Sequence, residues 1–128
     1  MAYAQSTPTI TRGAGGEFLV EYTETDVQAA SEATVESLPT FGRIVMYKAT
    51  KTAGSAATIA PEGGTSAAWT DSTQAEIMSG PTAAAFIHET QTLFYYTSTG
   101  TLYFRATPNT GSDNAVSTQI AILEGWGD

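Results

Sequence analysis

Cysteine is absent from the 128-residue sequence, so it holds no disulfide framework, thiolate zinc site or cysteine nucleophile. Basic residues are scarce: Arg12, Arg43, Lys48, Lys51 and Arg105 stand against 13 acidic residues, for a net charge of −8 and a pI near 4.3. An acidic surface repels phosphate backbones, so nucleic acid is excluded as a main partner. No apolar run approaches the ~20 residues of a membrane span. The N-terminal Met1-Ala2-Tyr3-Ala4-Gln5 has neither a basic n-region nor an apolar stretch. Synthesis in the cytoplasm and solubility until assembly are therefore expected.

Charged residues of all kinds reach only 14%, against ~25% in ordinary soluble proteins. Threonine, serine, alanine and glycine fill the gap. Thr, Ser and Gly disfavour helices, whereas threonine packs well on a half-exposed pleated face. The length suits a single domain with one core.

Residues 1–16 read as an extended N-terminal arm, because Ser6-Thr7-Pro8-Thr9 and Gly13-Ala14-Gly15-Gly16 break any apolar period. Such a segment buries too little of its own surface to offset the ~1–2 kcal/mol per residue of backbone ordering. It is expected to be mobile alone and ordered against a partner, with Tyr3 and Ile10 as anchors and Arg12 as its one cation. Residues 17–128 form the domain. Phe18, Val20 and Tyr22 alternate with Leu19, Glu21 and Thr23 as a half-buried strand does, and Ala33, Val35 and Ser37 alternate with Thr34 and Glu36 more weakly. Over Phe41–Thr50, the set Phe41, Arg43, Val45, Tyr47, Ala49 shares one face and Ile44, Met46, Lys48 the other. Apolar residues on both faces predict a central strand. Ala57–Ala60 predicts a short strand before a Pro61-Glu62-Gly63-Gly64 turn, and 73–79 a helical turn. Four more strands follow, at Ala83–His88, Thr92–Thr97, Thr101–Thr107 and Val116–Glu124, with Ser98-Thr99-Gly100 as a hairpin turn. About seven or eight strands in an all-β, single β-sandwich, jelly-roll or Greek-key like, are predicted, with an immunoglobulin-like sandwich second.

Catalytic groups are thinly represented. His88 is the lone histidine and no G-x-S-x-G elbow accompanies it. Arg12-Gly13-Ala14-Gly15-Gly16 has a strand after its glycines, the reverse of a phosphate-cradling loop. Glu17, Glu21, Glu24, Asp26, Glu32 and Glu36 lack a calcium-loop pattern and predict a solvated acidic face. No enzyme activity, cofactor or metal is expected. Phe94-Tyr95-Tyr96 with Tyr103-Phe104 fits either a two-faced central hairpin or an exposed binding face. Trp69 and Trp126 lie outside the clean strands, where interface anchors or end caps of a core sit.

The stretch Tyr22-Thr23-Glu24-Thr25-Asp26-Val27, Ser31–Val35, Leu38-Pro39, Ile44–Thr50 and Ala53–Pro61 resembles small virion structural proteins of tailed bacteriophages, of the kind that cement or decorate the capsid. The likeness spans roughly residues 17–64 and is one of texture: acidic, cysteine-free, Thr/Ala/Gly-rich β. It implies a virion location, the major capsid protein or other virion subunits as partners, a homo-oligomer with a trimer favoured, and an arm that reaches neighbouring subunits. A tail, baseplate or head–tail adaptor component is the second expectation. A carbohydrate-binding β-sandwich module, with aromatics stacked on sugar rings, is the third.

Overall fold

The computed structural model describes residues 2–29, 31–65, 82–83, 87–90 and 94–125, and only the backbone at 58, 60–62, 82–83, 87–90 and 94. The helical turn anticipated at 73–79 lies outside these residues, as do Trp69 and Trp126.

The strands in chain order are β1 (Ala4–Gln5), β2 (Thr9–Arg12), β3 (Glu17–Val27), β4 (Ala33–Val35), β5 (Phe41–Ala53) and β6 (Thr58–Gly64). They continue as β7 (Thr82–Ala83), β8 (Ile87–Thr90), β9 (Phe94–Thr97), β10 (Leu102–Pro108) and β11 (Asn114–Glu124). All pairings among them are antiparallel. A seven-stranded sheet is built on β3, β11 and β5, with β1 and β2 along the outer edge of β3 and β8 and β9 along that of β5. A four-stranded sheet runs β4-β10-β6-β7.

The two sheets bury one common core. β10 alternates strictly, placing Leu102, Phe104 and Ala106 inside, and β11 does the same with Val116, Ile120 and Ile122. Phe104 meets Tyr47 of the opposite sheet with ring centroids 6.0 Å apart. Apolar burial of this kind, at ~25 cal/mol per Å², is the main force joining the sheets.

Bulges decide which residues of β5 face the core. Ala121 pairs with Met46 and Ile122 with Ile44, so Val45 is an extra residue without a partner on β11. Before it Gly42 and Ile44 point inward; after it Tyr47, Ala49 and Lys51 do. The predicted single face of Phe41, Arg43, Val45, Tyr47 and Ala49 is therefore split. The strand is central as expected, but its two-faced apolar pattern comes from a phase change. A second bulge in β3 sets Thr25 and Asp26 against Ala115, with Asp26 at φ 53°, a conformation that Asp tolerates better than most residues.

The Ser98–Gly100 turn is no hairpin. β9 pairs with β5 and β10 with β4 and β6, so the turn carries the chain from one sheet to the other. It runs beside a second crossing, 36–40, through Leu38 N–H to Gly100 O at 2.9 Å and Ser98 N–H to Thr40 O at 2.8 Å. Gly100 has φ 100°, and a Cβ there would come within 3.2 Å of the Leu38 carbonyl. Likewise 83–88 is not one strand: Thr82–Ala83 joins β6, while Ile87–Thr90 joins β5. The Pro61-Gly64 segment, expected to turn, extends β6 along β10. Pro61 stands beyond the reach of the two-residue β7, on a stretch with one open edge among the described residues, where a sheet tolerates proline.

Asn114 ties three segments together at one end of the fold. Its Nδ2 donates to Val27 O at 3.2 Å and Thr110 O at 3.1 Å, and its Oδ1 accepts from Ala56 N–H at 2.9 Å. Asp113 accepts from the Ser55 hydroxyl at 2.8 Å, which holds its carboxyl below the ordinary range.

Candidate functional site

Residues 4–12 do not stand off the domain as a free arm. β1 pairs Ala4 and Gln5 with Thr25 and Glu24, and β2 pairs Thr9–Arg12 with Glu21–Phe18. Between them, Ser6 N–H donates to Thr23 O and Thr23 N–H to Ser6 Oγ, both at 2.8 Å. Two conditions oppose the freedom predicted from composition. The edge of β3 offers a row of backbone partners, and Tyr3 and Ile10 pack against the core.

The anchor residues converge here. Ile10 lies opposite Val20 and packs against the core, as does Tyr3. The Arg12 guanidinium stands 4.8 Å from the centroid of the Phe18 ring, a cation–π contact at the end of the same edge. Tyr3, Ile10 and Arg12 thus belong to one strap on their own domain. Trp69 and Trp126 are not among the described residues.

Beneath the strap is a group that the sequence assigned to solvent. Glu24 continues the inward phase of Phe18, Val20 and Tyr22, and is 2% exposed. Tyr3 Oη donates to its Oε2 at 2.6 Å. Burial raises the Glu24 carboxyl to about 7, against the opposing pull of the Tyr3 bond. Tyr22 and Tyr47, fully buried beside it, are pushed far up by desolvation, with the neighbouring Glu24 charge adding to it. The buried Thr118 hydroxyl completes this polar nest. The alternation of β3 carries the signal for Glu24; its place in an acid-rich run concealed it. The rest of that run divides: Glu17 and Glu36 are exposed, Glu21 accepts from Gln119 Nε2 at 2.7 Å, and Glu32 lies 3.5 Å from Arg105 Nε.

A second surface is the outer face of the seven-stranded sheet. Toward the β2–β3 turn it is apolar: Leu19, Val45, Ala121 and Leu123 border a depression of about 340 Å³. On the β9 side of the same face Phe41 is 49% exposed and Tyr95 55% exposed, diagonal neighbours by register. The other half of the face carries Glu21, Thr23, Ser117 and Gln119. The predicted aromatic ribbon is therefore divided: Phe104 and Tyr96 enter the core and Tyr95 faces outward. Tyr96 Oη donates to Pro39 O at 3.0 Å, and burial raises its hydroxyl to about 12.

No family model matches the sequence, and no curated protein matches it. Among solved structures, a chain titled as the cyanophage Pam1 capsid asymmetric unit is similar, with a TM-score of 0.42, 20% identity and 90% of each chain covered.

Proposed function

We propose that the chain is a non-enzymatic structural subunit of a virion, of the capsid cement or decoration type. It docks through the apolar half of its seven-stranded sheet onto the major capsid protein or neighbouring virion subunits. The observation that carries this reading is the apolar outer face, with Leu19, Val45, Ala121 and Leu123 at one end and the exposed Phe41 and Tyr95 at the other. Two apolar groups on the outer face of a strongly acidic, charge-poor chain, with Arg43 between them in register, mark a surface meant to be covered. The resemblance over residues 17–64 supplies the virion as the setting, and a trimer as the oligomer. Mass spectrometry of purified particles of the encoding virus should find the chain in many copies. Leu19→Glu with Val45→Glu should keep the circular dichroism of the fold and lose particle incorporation. Absence of the wild-type chain from the particles would overturn the reading.

The exposed pair Phe41 and Tyr95 favours one second reading, a carbohydrate-binding module that stacks sugar rings on those side chains. Glycan binding lost in Tyr95→Ala, by a chain not incorporated into particles, would establish it in place of the first.

A further inference from the structure

The strap and the carboxyl beneath it are mechanically linked. Glu24 sits on the inward side of β3, Gln5 of β1 lies opposite it in register, and the Tyr3 side chain closes over it to bond Oε2. The same strap covers a second edge, because Gln5 hydrogen-bonds both backbone groups of Thr34 on β4. Lifting residues 3–12 would bare the edges of β3 and β4 together and let water reach Glu24. The strap is short and interrupted by Pro8, so opening it costs far less than unfolding the core.

We propose that residues 3–12 form a proton-gated strap: with Glu24 uncharged, Tyr3 stays seated, and ionisation of Glu24 favours release of the strap from β3 and β4. Of the groups that face Glu24, the Tyr3 hydroxyl favours the carboxylate through its hydrogen bond, and burial outweighs that pull. Tyr3 of the strap, Tyr22 of its own strand, Tyr47 of β5 and Thr118 of β11 are neutral, and Glu32 near Tyr3 is paired with Arg105 of β10 at 3.5 Å. Lys51 shares the partner Val116 with Glu24 but lies two strands away, where its charge acts on Asp113. Among the described residues, therefore, no cation repays the charged carboxylate for its lost water. A seated strap holds the Glu24 titration at about 7, and a lifted one returns it toward the ordinary 4.5. By linkage, opening becomes easier by up to tenfold per pH unit across that interval and levels off above it. This inference rests on the single chain and is independent of the assembly role above.

The test is amide hydrogen exchange, expressed as protection factors at pH 5 and pH 8, on the wild type and on Glu24→Gln, which keeps an acceptor for Tyr3 but cannot ionise. Protection of the Thr34 and Thr23 amides should fall at least tenfold from pH 5 to pH 8 in the wild type and stay level in the variant. Ile120, at the centre of β11, should hold its protection in both. Equal falls in wild type and variant, or a fall at Ile120 matching that at Thr34, would overturn the proposal. If Glu24→Gln does not fold, carbon-13 titration of the wild-type glutamates decides: Glu24 and the Tyr3 ring must shift with one midpoint, and separate midpoints sink the idea.

Discussion

The carboxamide of Gln5 acts as a one-residue strand on the backbone of Thr34. Its Nε2 donates to Thr34 O at 2.9 Å and its Oε1 accepts from Thr34 N–H at 2.9 Å. Gln5 belongs to the seven-stranded sheet and Thr34 to the edge strand of the four-stranded sheet, so one side chain joins the two layers where no ladder does. It also occupies an edge that would otherwise be open to another chain.

Gln5→Ala should cost about 1–2 kcal/mol by urea denaturation, the worth of two partly buried hydrogen bonds. Gln5→Glu should cost more at neutral pH, since a carboxylate cannot donate to Thr34 O. Equal stability of all three proteins would show that the tie contributes nothing.

Removal of residues 2–12 should lower stability by roughly 3 kcal/mol and the thermal midpoint by at least ~5 °C, because Tyr3 and Ile10 pack on the core and β3 loses its edge partners. An arm mobile on its own domain, as composition predicted, would leave the midpoint almost unchanged. Calorimetry of the truncated chain separates the two.

Glu24 should make the wild type less stable as pH rises. Its folded titration, about 7, lies above the ordinary 4.5, so its contribution is complete below 4.5 and is lost as pH climbs to about 7. Glu24→Gln should match the wild type near pH 4 and exceed it by up to ~3 kcal/mol at pH 8. Denaturant midpoints measured across this range check the sign, and an advantage of the variant at low pH would refute it.

Asn114→Ala should destabilise by about 2–4 kcal/mol, since it strands the Ala56 N–H and the Val27 carbonyl in a buried site. Gly54→Ala should do comparable harm. Gly54 has φ 114°, and its Cβ would fall 2.4 Å from Asn114 Oδ1. Chemical denaturation of each variant provides the measurement.

Period-2 alternation was legible in the sequence wherever a strand keeps one phase. Phe18, Val20 and Tyr22 of β3 were placed on one face by pattern alone, and the strands β10 and β11 and the all-β class were read from it too. Alternation has no memory of partners, however. It could not show that the strands flanking Ser98–Gly100 belong to different sheets, because a turn residue with positive φ serves a hairpin and a crossing equally. Nor could it see Val45 as an added residue in β5, since a bulge exists only relative to the register of the strand beside it. The same limit hid the site. Glu24 is buried, and Tyr3, Gln5, Ile10 and Arg12 are held down, only because the edges of β3 and β4 lie where the arm can reach them. Side-chain pattern is local and fixes which residues seek burial. Which edges and carboxyls are left to be covered depends on pairing between distant segments, and tertiary structure alone decides that.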